Sequence, residues 1–325
     1  MTTEDGFVFT GILDGKGGAR VTDAPDPMAR RTDGLVEWVH LDITRPAARD
    51  WLKRAADLPP LAVGAILAPE TEPRHHEFDS GTLIILREVN THDNADPDDM
   101  ISLRLWVGHD RIVTGRLRHL EAIEDIKTAL AAGTGPMGKA QFLCAVGRAM
   151  AQTKTEIIAA LNEELDDIDE GLTGGANLKA LFPRIADLRR RAIQLNRYFR
   201  PQRLAIAEIA ASRPPWLDEM TAEELSELAA EFNRLAADID AILGRAQVTQ
   251  DEMRSTENQR ATDITLTLTV VAAIFLPLGF VTGLLGINVG GIPLAESKAG
   301  FWVVCGGLLA LGICLWLYFR NRRYL

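Results

Sequence analysis

Cysteine is scarce in this chain, and its three copies are ill spaced for a shared task. Cys144 stands alone in a helical apolar pattern and reads as core. Cys305 and Cys314, nine residues apart, lie about 900° of helix rotation from one another and so on opposite faces. Neither a disulfide framework nor a cysteine-based zinc motif follows. Basic charge is also in deficit: 35 Lys and Arg against 45 Asp and Glu leave a formal net charge of −10. The arginine triplet at 189–191 is isolated, so no nucleic-acid surface is expected. Phosphate-cradling loops, glycine-rich dinucleotide turns and catalytic triads are lacking, and no enzyme is expected. The opening residues, MTTEDGFVFTG, lack a basic region followed by an apolar core. No secretory leader is therefore expected, and the charged part of the chain is assigned to the cytoplasm.

Charge itself is missing from two stretches near the C terminus. Residues 264–295 contain no Asp, Glu, Lys or Arg over 32 positions, and 299–319 contain none over 21. About 20 apolar residues span the hydrocarbon layer as a helix, so the two runs read as a transmembrane hairpin. A buried hairpin in a large soluble core is the alternative. Gly, Thr and Pro in the first run are compatible with spanning. Arg254 and Arg260 precede the first run, FRNRRYL (319–325) follows the second, and the loop between carries only Glu296 and Lys298. The bias of basic residues toward the inside sets both termini in the cytoplasm and the short loop outside, in the inner (plasma) membrane.

What is present before the spans falls into two kinds of pattern. Residues 1–135 mix strand signals at 7–13, 35–42, 82–89, 102–107 and 111–115 with helical stretches at 46–56 and 117–131. GHDR (108–111) reads as a tight hairpin turn, and DAPDP (23–27), APETEP (68–73) and HDNADPDD (92–99) read as loops. This is an α/β domain. Residues 136–216 read as an antiparallel pair of long helices, from Gly138 to about Asp169 and then 178–199, reversing at TGG (173–175). Leu181, Ile185, Leu188, Ala192, Leu195 and Phe199 make one apolar stripe on the second.

A stalk helix is assigned to 217–263, with Thr221 and Glu224 as its capping box. Leu225, Leu228, Phe232, Leu235, Ile239, Ile242, Ala246, Thr249 and Met253 form a heptad-like seam that demands a partner. No proline intervenes before Pro277, so stalk and first span (264–286) read as one helix of roughly 60 residues, on the order of 90 Å. A break near Gln259 is the alternative. An outer loop (287–298), a second span (299–319) and a basic tail (320–325) complete the order.

The first span is unusually polar and slim on one side. Thr265, Thr269, Ala272, Leu276, Gly279 and Gly283 recur at steps of four and three, while Ile274, Phe275, Leu278, Phe280 and Val281 are bulky and suit lipid or the second helix. Such a small, hydroxylated face fits either a close-packed dimer seam or a ring of helices around a pathway. In a ring, Asn288 in the glycine-rich TGLLGINVGGIPL (282–294) would repeat as a circle of carbonyl oxygens able to hold a hydrated cation weakly. The first span has no His, Cys or carboxylate, so an ion passing it keeps much of its water.

TGLLGIN (282–288), preceded by FLPLGFVTG (275–283) and set between two C-terminal spans and a basic tail, resembles the CorA family of divalent-cation transport proteins. The family signature Gly-Met-Asn is here Gly286-Ile287-Asn288, a departure similar to the zinc-transporting ZntB branch. The resemblance covers the whole chain. It implies a funnel-shaped homopentamer in membrane lipid, with an α/β cytoplasmic mouth and zinc entering through a central pore, coupled to protons. It further implies pore-facing Thr265, Leu268, Ala272, Leu276, Gly279 and Gly283, with Asn288 as selectivity ring; periodicity selects Thr269 in place of Leu268. No cofactor is expected beyond the transported divalent cation.

Acidic residues cluster on the cytoplasmic side. Glu163, Glu164, Asp166, Asp167, Asp169 and Glu170 stand at the tip of the helix pair, and fivefold repetition would make a surface that gathers cations. A solvated helix end is the plain alternative. Asp251 is assigned a regulatory metal role by resemblance to relatives that gate on magnesium. His75 and His76 could share a metal only in a loop, because neighbours on a strand point apart. Two further functions stay open: a magnesium channel of the same build, and a membrane-anchored sensor that transports nothing.

Overall fold

The computed structural model describes residues 5–23, 25–55, 57–90, 100–287 and 299–321. It comprises two compact units, Met1–Val248 and Thr249–Leu325. The first contains a seven-stranded sheet of β1 (Phe7–Leu13), β2 (Ala19–Val21), β3 (Glu37–Asp42), β4 (Arg74–Phe78), β5 (Gly81–Val89), β6 (Met100–Gly108) and β7 (Arg111–Arg116). Spatial order is β2-β1-β3-β7-β6-β5-β4, with every neighbour antiparallel except β3 and β7. Alternation sends successive β3 side chains to opposite layers. Val39 and Leu41 pack with Trp51 and Leu52 of α1 (Pro46–Arg54) and with Ala62, Val63 and Ile66 of α2 (Pro60–Leu67). Trp38 packs on the other side against Phe142 of α4 (Lys139–Thr173), ring centroids 4.8 Å apart. Between these layers β6 is buried along its whole length, as a central strand should be.

Five strands and the hairpin turn at 108–111 fall where the hydrophobic pattern puts them. β2 and β4 escape it. β4, with the sequence RHHEF, is a polar edge strand without alternation, and charge on an edge guards against pairing with another chain. α2 escapes for the opposite reason: PLAVGAIL is apolar at every position but its glycine and carries no helical period. α3 (Glu121–Ala131) lies within the expected helical stretch.

α4 turns back into α5 (Leu178–Ser212) through Gly174 and Gly175, the latter at φ +76°, where a side chain would be strained. Asn177 caps α5 by accepting the Lys179 N–H at 3.0 Å. α5 does not stop at Phe199. It runs through Pro201 to Ser212, because Ala205, Ile206, Ile209 and Ala210 extend the buried stripe beyond the single donor that proline removes.

α6 (Glu219–Leu285) is one helix of 67 residues without a break at Gln259. Asp218, not Thr221, caps it: its carboxylate accepts the Thr221 N–H at 2.8 Å and the Thr221 hydroxyl at 2.9 Å. Glu224 instead pairs with Arg148 of α4. From Leu225 to Ala246 the seam is buried within the first unit, and its partner is the α4–α5 pair. Gly147 of α4 leaves room for Leu228 where any side chain would collide. Each Leu, Ile or Phe so buried contributes roughly 1.5–3 kcal/mol.

Candidate functional site

The second unit holds the remainder of α6 and α7 (Gly300–Asn321). Each helix carries a stretch long and apolar enough to cross a bilayer, and little of that stretch is buried in the single chain. α7 covers one side of α6. Gly312 lies so close that a Cβ there would meet Leu278 Cδ1 at 3.8 Å, and Val270, Ala273, Ile274, Pro277, Leu278, Val281 and Leu285 are wholly or partly shielded.

At about 100° per residue these shielded positions centre almost opposite Thr265, Ala272, Leu276, Gly279 and Gly283. That small, partly hydroxylated stripe is exposed throughout. A Cβ at Gly279 or Gly283 would meet nothing within 4 Å. Leu268 and Thr269 stand at roughly equal angles on the two edges of the stripe, both exposed. Phe275 and Phe280 flank it and are also exposed.

The threonine hydroxyls are not free to donate. Thr265 Oγ1 donates to Ala261 O at 2.8 Å, Thr269 Oγ1 to Thr265 O at 2.8 Å, and Thr282 Oγ1 to Leu278 O at 3.0 Å. Each hydroxyl spends its one proton on its own helix and turns only lone pairs outward. The stripe is therefore an acceptor surface, suited to cations or to water that donates. Gly286 N–H bonds Thr282 O at 3.0 Å and Gly283 O at 3.1 Å, closing the helix. Ile287 is the last described residue before the loop and is half exposed; Asn288 lies outside the described residues.

The acidic tip is more heavily paired than its sequence suggests. Arg245 of α6 reaches Asp166 Oδ1 at 2.7 Å and Asp169 Oδ2 at 3.0 Å, Arg191 pairs with Glu164, and Arg184 stands 3.7 Å from Asp167 Oδ2. Glu163 and Glu170 are exposed and form no ion pair among the described residues. Arg245, from a different helix, could not have been assigned to these acids by spacing alone. Asp251 Oδ1 lies 3.6 Å from Arg254 on its own helix. His75 and His76 sit on β4, not in a loop: His75 Nδ1 meets Glu208 Oε2 at 3.1 Å while His76 packs on Phe78. That placement rules out one metal shared by the two. Among the described residues no three His, Cys, Asp or Glu converge as metal ligands.

The family model described as CorA-like Mg2+ transporter protein matches residues 33–323. The zinc transport protein ZntB of Pectobacterium atrosepticum is 32% identical over 316 residues, covering 96% of this chain and 94% of that one. The divalent cation transporter CmaX of Pseudomonas aeruginosa is 31% identical over 326 residues, covering 99% and 98%. The solved structure of full-length CmaX superposes with a TM-score of 0.84 at 30% identity, covering 99% of each chain.

Proposed function

The chain belongs to the CorA family of divalent-cation transporters, and from that premise we propose that it admits zinc to the cytoplasm through the central pore of a homopentamer. The observation that carries this reading is the stripe of Thr265, Ala272, Leu276, Gly279 and Gly283, exposed on the side of α6 turned away from α7. Lipid gains nothing from glycine and from hydroxyl lone pairs, whereas copies of this helix around an axis would enclose them. Gly286-Ile287-Asn288 then opens the outer mouth, with Asn288 supplying a ring of carbonyl oxygens. Both termini lie in the cytoplasm, and the inside-negative potential drives the ion inward with about 2.3 kcal/mol per charge per 100 mV, doubled for a divalent cation.

Zinc is preferred over magnesium because the signature's Met is replaced by Ile287 and because ZntB, 32% identical, is a zinc transport protein. Magnesium remains the second reading, supported by the matched family's description. Neither span contains a carboxylate or histidine, so proton coupling inherited from the zinc branch would run through water or with the ion. Uptake into liposomes holding the purified chain, with zinc or magnesium and with or without a pH gradient, decides between them. Zinc flux lost in Asn288→Ala supports the proposal. Flux of magnesium alone, inhibited from the cytoplasmic side, selects the second reading, and no flux of either ion leaves a membrane-anchored sensor.

A further inference from the structure

The N-terminal unit carries a cleft of about 680 Å³ that transport does not use. One wall is sheet. Arg74 of β4 pairs in register with Ile85 of β5, Ile85 with Arg104 of β6, and Arg104 with Gly115 of β7. Directly opposed residues share a sheet face, so Arg74 and Arg104 lie in one row, and Arg87, opposed to Ser102, lies in the next row of the same face. Arg197 and Tyr198 of α5 form the other wall.

Positive charge dominates this lining: four arginines, at 74, 87, 118 and 197, face Glu70 and Glu72. Arg87 spends its guanidinium on carbonyls, Thr71 O at 2.6 Å and Met100 O at 2.8 Å, which fix it without cancelling its charge. Beneath the wall lies Arg104, fully buried. Among the described residues its Nε and Nη1 have no hydrogen-bond partner, while Nη2 stands 3.5 Å from the O of Pro69, a cleft residue. Burial and the neighbouring Arg87 charge hold Arg104 down to about 10, and no carboxylate among the described residues raises it. An ion taken from water without a counter-ion is among the costliest arrangements a fold can contain. A bound anion removes that cost, and a guanidinium fork matches phosphate oxygens in pairs.

We propose that this cleft binds a multiply charged oxyanion of the phosphate class, seated toward Arg104 and held at its rim by Arg74 and Arg197. Its volume accommodates anything from inorganic phosphate to a nucleotide. Two arginines already stand over the Tyr198 ring, Arg87 at 5.0 Å and Arg197 at 5.6 Å from its centroid, so recognition centres on charge and not on stacking of a base.

Calorimetric titration of the full chain in detergent, with inorganic phosphate, pyrophosphate and ATP against matched chloride, tests this without reference to flux. Saturable binding of phosphate or pyrophosphate is expected, weakened about tenfold or more in Arg104→Met. Because that variant changes the core, R74Q/R197Q serves as the second: it should weaken binding several-fold with an unchanged melting temperature. Binding of ATP alone would identify a nucleotide as the source of the phosphate. The proposal fails if none of the three saturates, or if affinity is the same in both variants.

Discussion

His40 Nδ1 lies 2.8 Å from Thr114 Oγ1, across the parallel pair in which residues 40 and 114 are in register. The same hydroxyl accepts the indole N–H of Trp38 at 2.9 Å and keeps a second lone pair and its own proton for His40. His40 Nε2 is buried without a hydrogen-bond partner among the described residues. Burial, then the positive charges of Arg116 and Lys127, pushes His40 down to about 3. An unfolded chain protonates this side chain near pH 6.5, so between those values the unfolded state holds more protons. Stability is therefore present above about pH 6.5 and declines as pH falls toward 3, by about 5 kcal/mol at most over the full window. Urea denaturation of wild type and His40→Gln across this range should show the acid limb flattened in the variant.

Lys154 is fully buried between the rings of Phe199 and Phe232, 3.5 Å from Glu88 Oε1 and 3.1 Å from Arg87 O. Burial lowers the lysine and raises the glutamate, and each partner opposes the other's shift. Lys154→Met strands a buried carboxylate and is expected to cost about 3–5 kcal/mol near neutrality. A carboxyl with a raised folded pKa contributes stability below its unfolded value and loses it as pH rises. The deficit of Lys154→Met should accordingly shrink in acid, and E88L/K154M should recover most of it. Denaturant midpoints at neutral and acidic pH check both.

Gly279 and Gly283 have open space where a side chain would stand, so bulk there costs the isolated chain nothing. Leucine even favours helix over glycine by roughly 0.8–1 kcal/mol. Gly283→Leu should insert and retain helicity, yet abolish flux if the stripe gathers about an axis. Phe301→Leu, exposed on α7, should leave flux near wild type. Equal flux in both variants would remove the stripe from the pathway.

Arg245→Gln releases Asp166 and Asp169 at the tip of the α4–α5 pair. These groups are largely exposed, so thermal stability should change by less than about 1 kcal/mol. Binding of Mn2+ to the tip, followed by its paramagnetic relaxation, should increase. No increase would argue that the tip is a solvated helix end.

The seam of α6 was legible because burial there follows a period. Every position from Leu225 to Ala246 on that stripe is buried. α2 and β4 were illegible because one is apolar all round and the other polar all round, and periodicity has nothing to measure in either. The expected end of α5 at Phe199 was too early, because burial of Ile206 and Ile209 carries the helix on through Pro201. The stripe on the first span could be recognised from residue size, but only packing shows which side α7 takes. The pairing of Arg245 with the acidic tip joins residues 76 and 79 positions apart and has no local signature.

The inward donation of the threonine protons bears on how solvent stands beside α6. Water touching Thr265 or Thr269 there has only lone pairs to meet and must itself be the donor. Each such molecule turns its oxygen away from the wall, so a hydrated column beside it would be polarised to welcome a cation and resist an anion. No ionisable side chain takes part, and that discrimination by sign would persist at any acidity in which the helix survives.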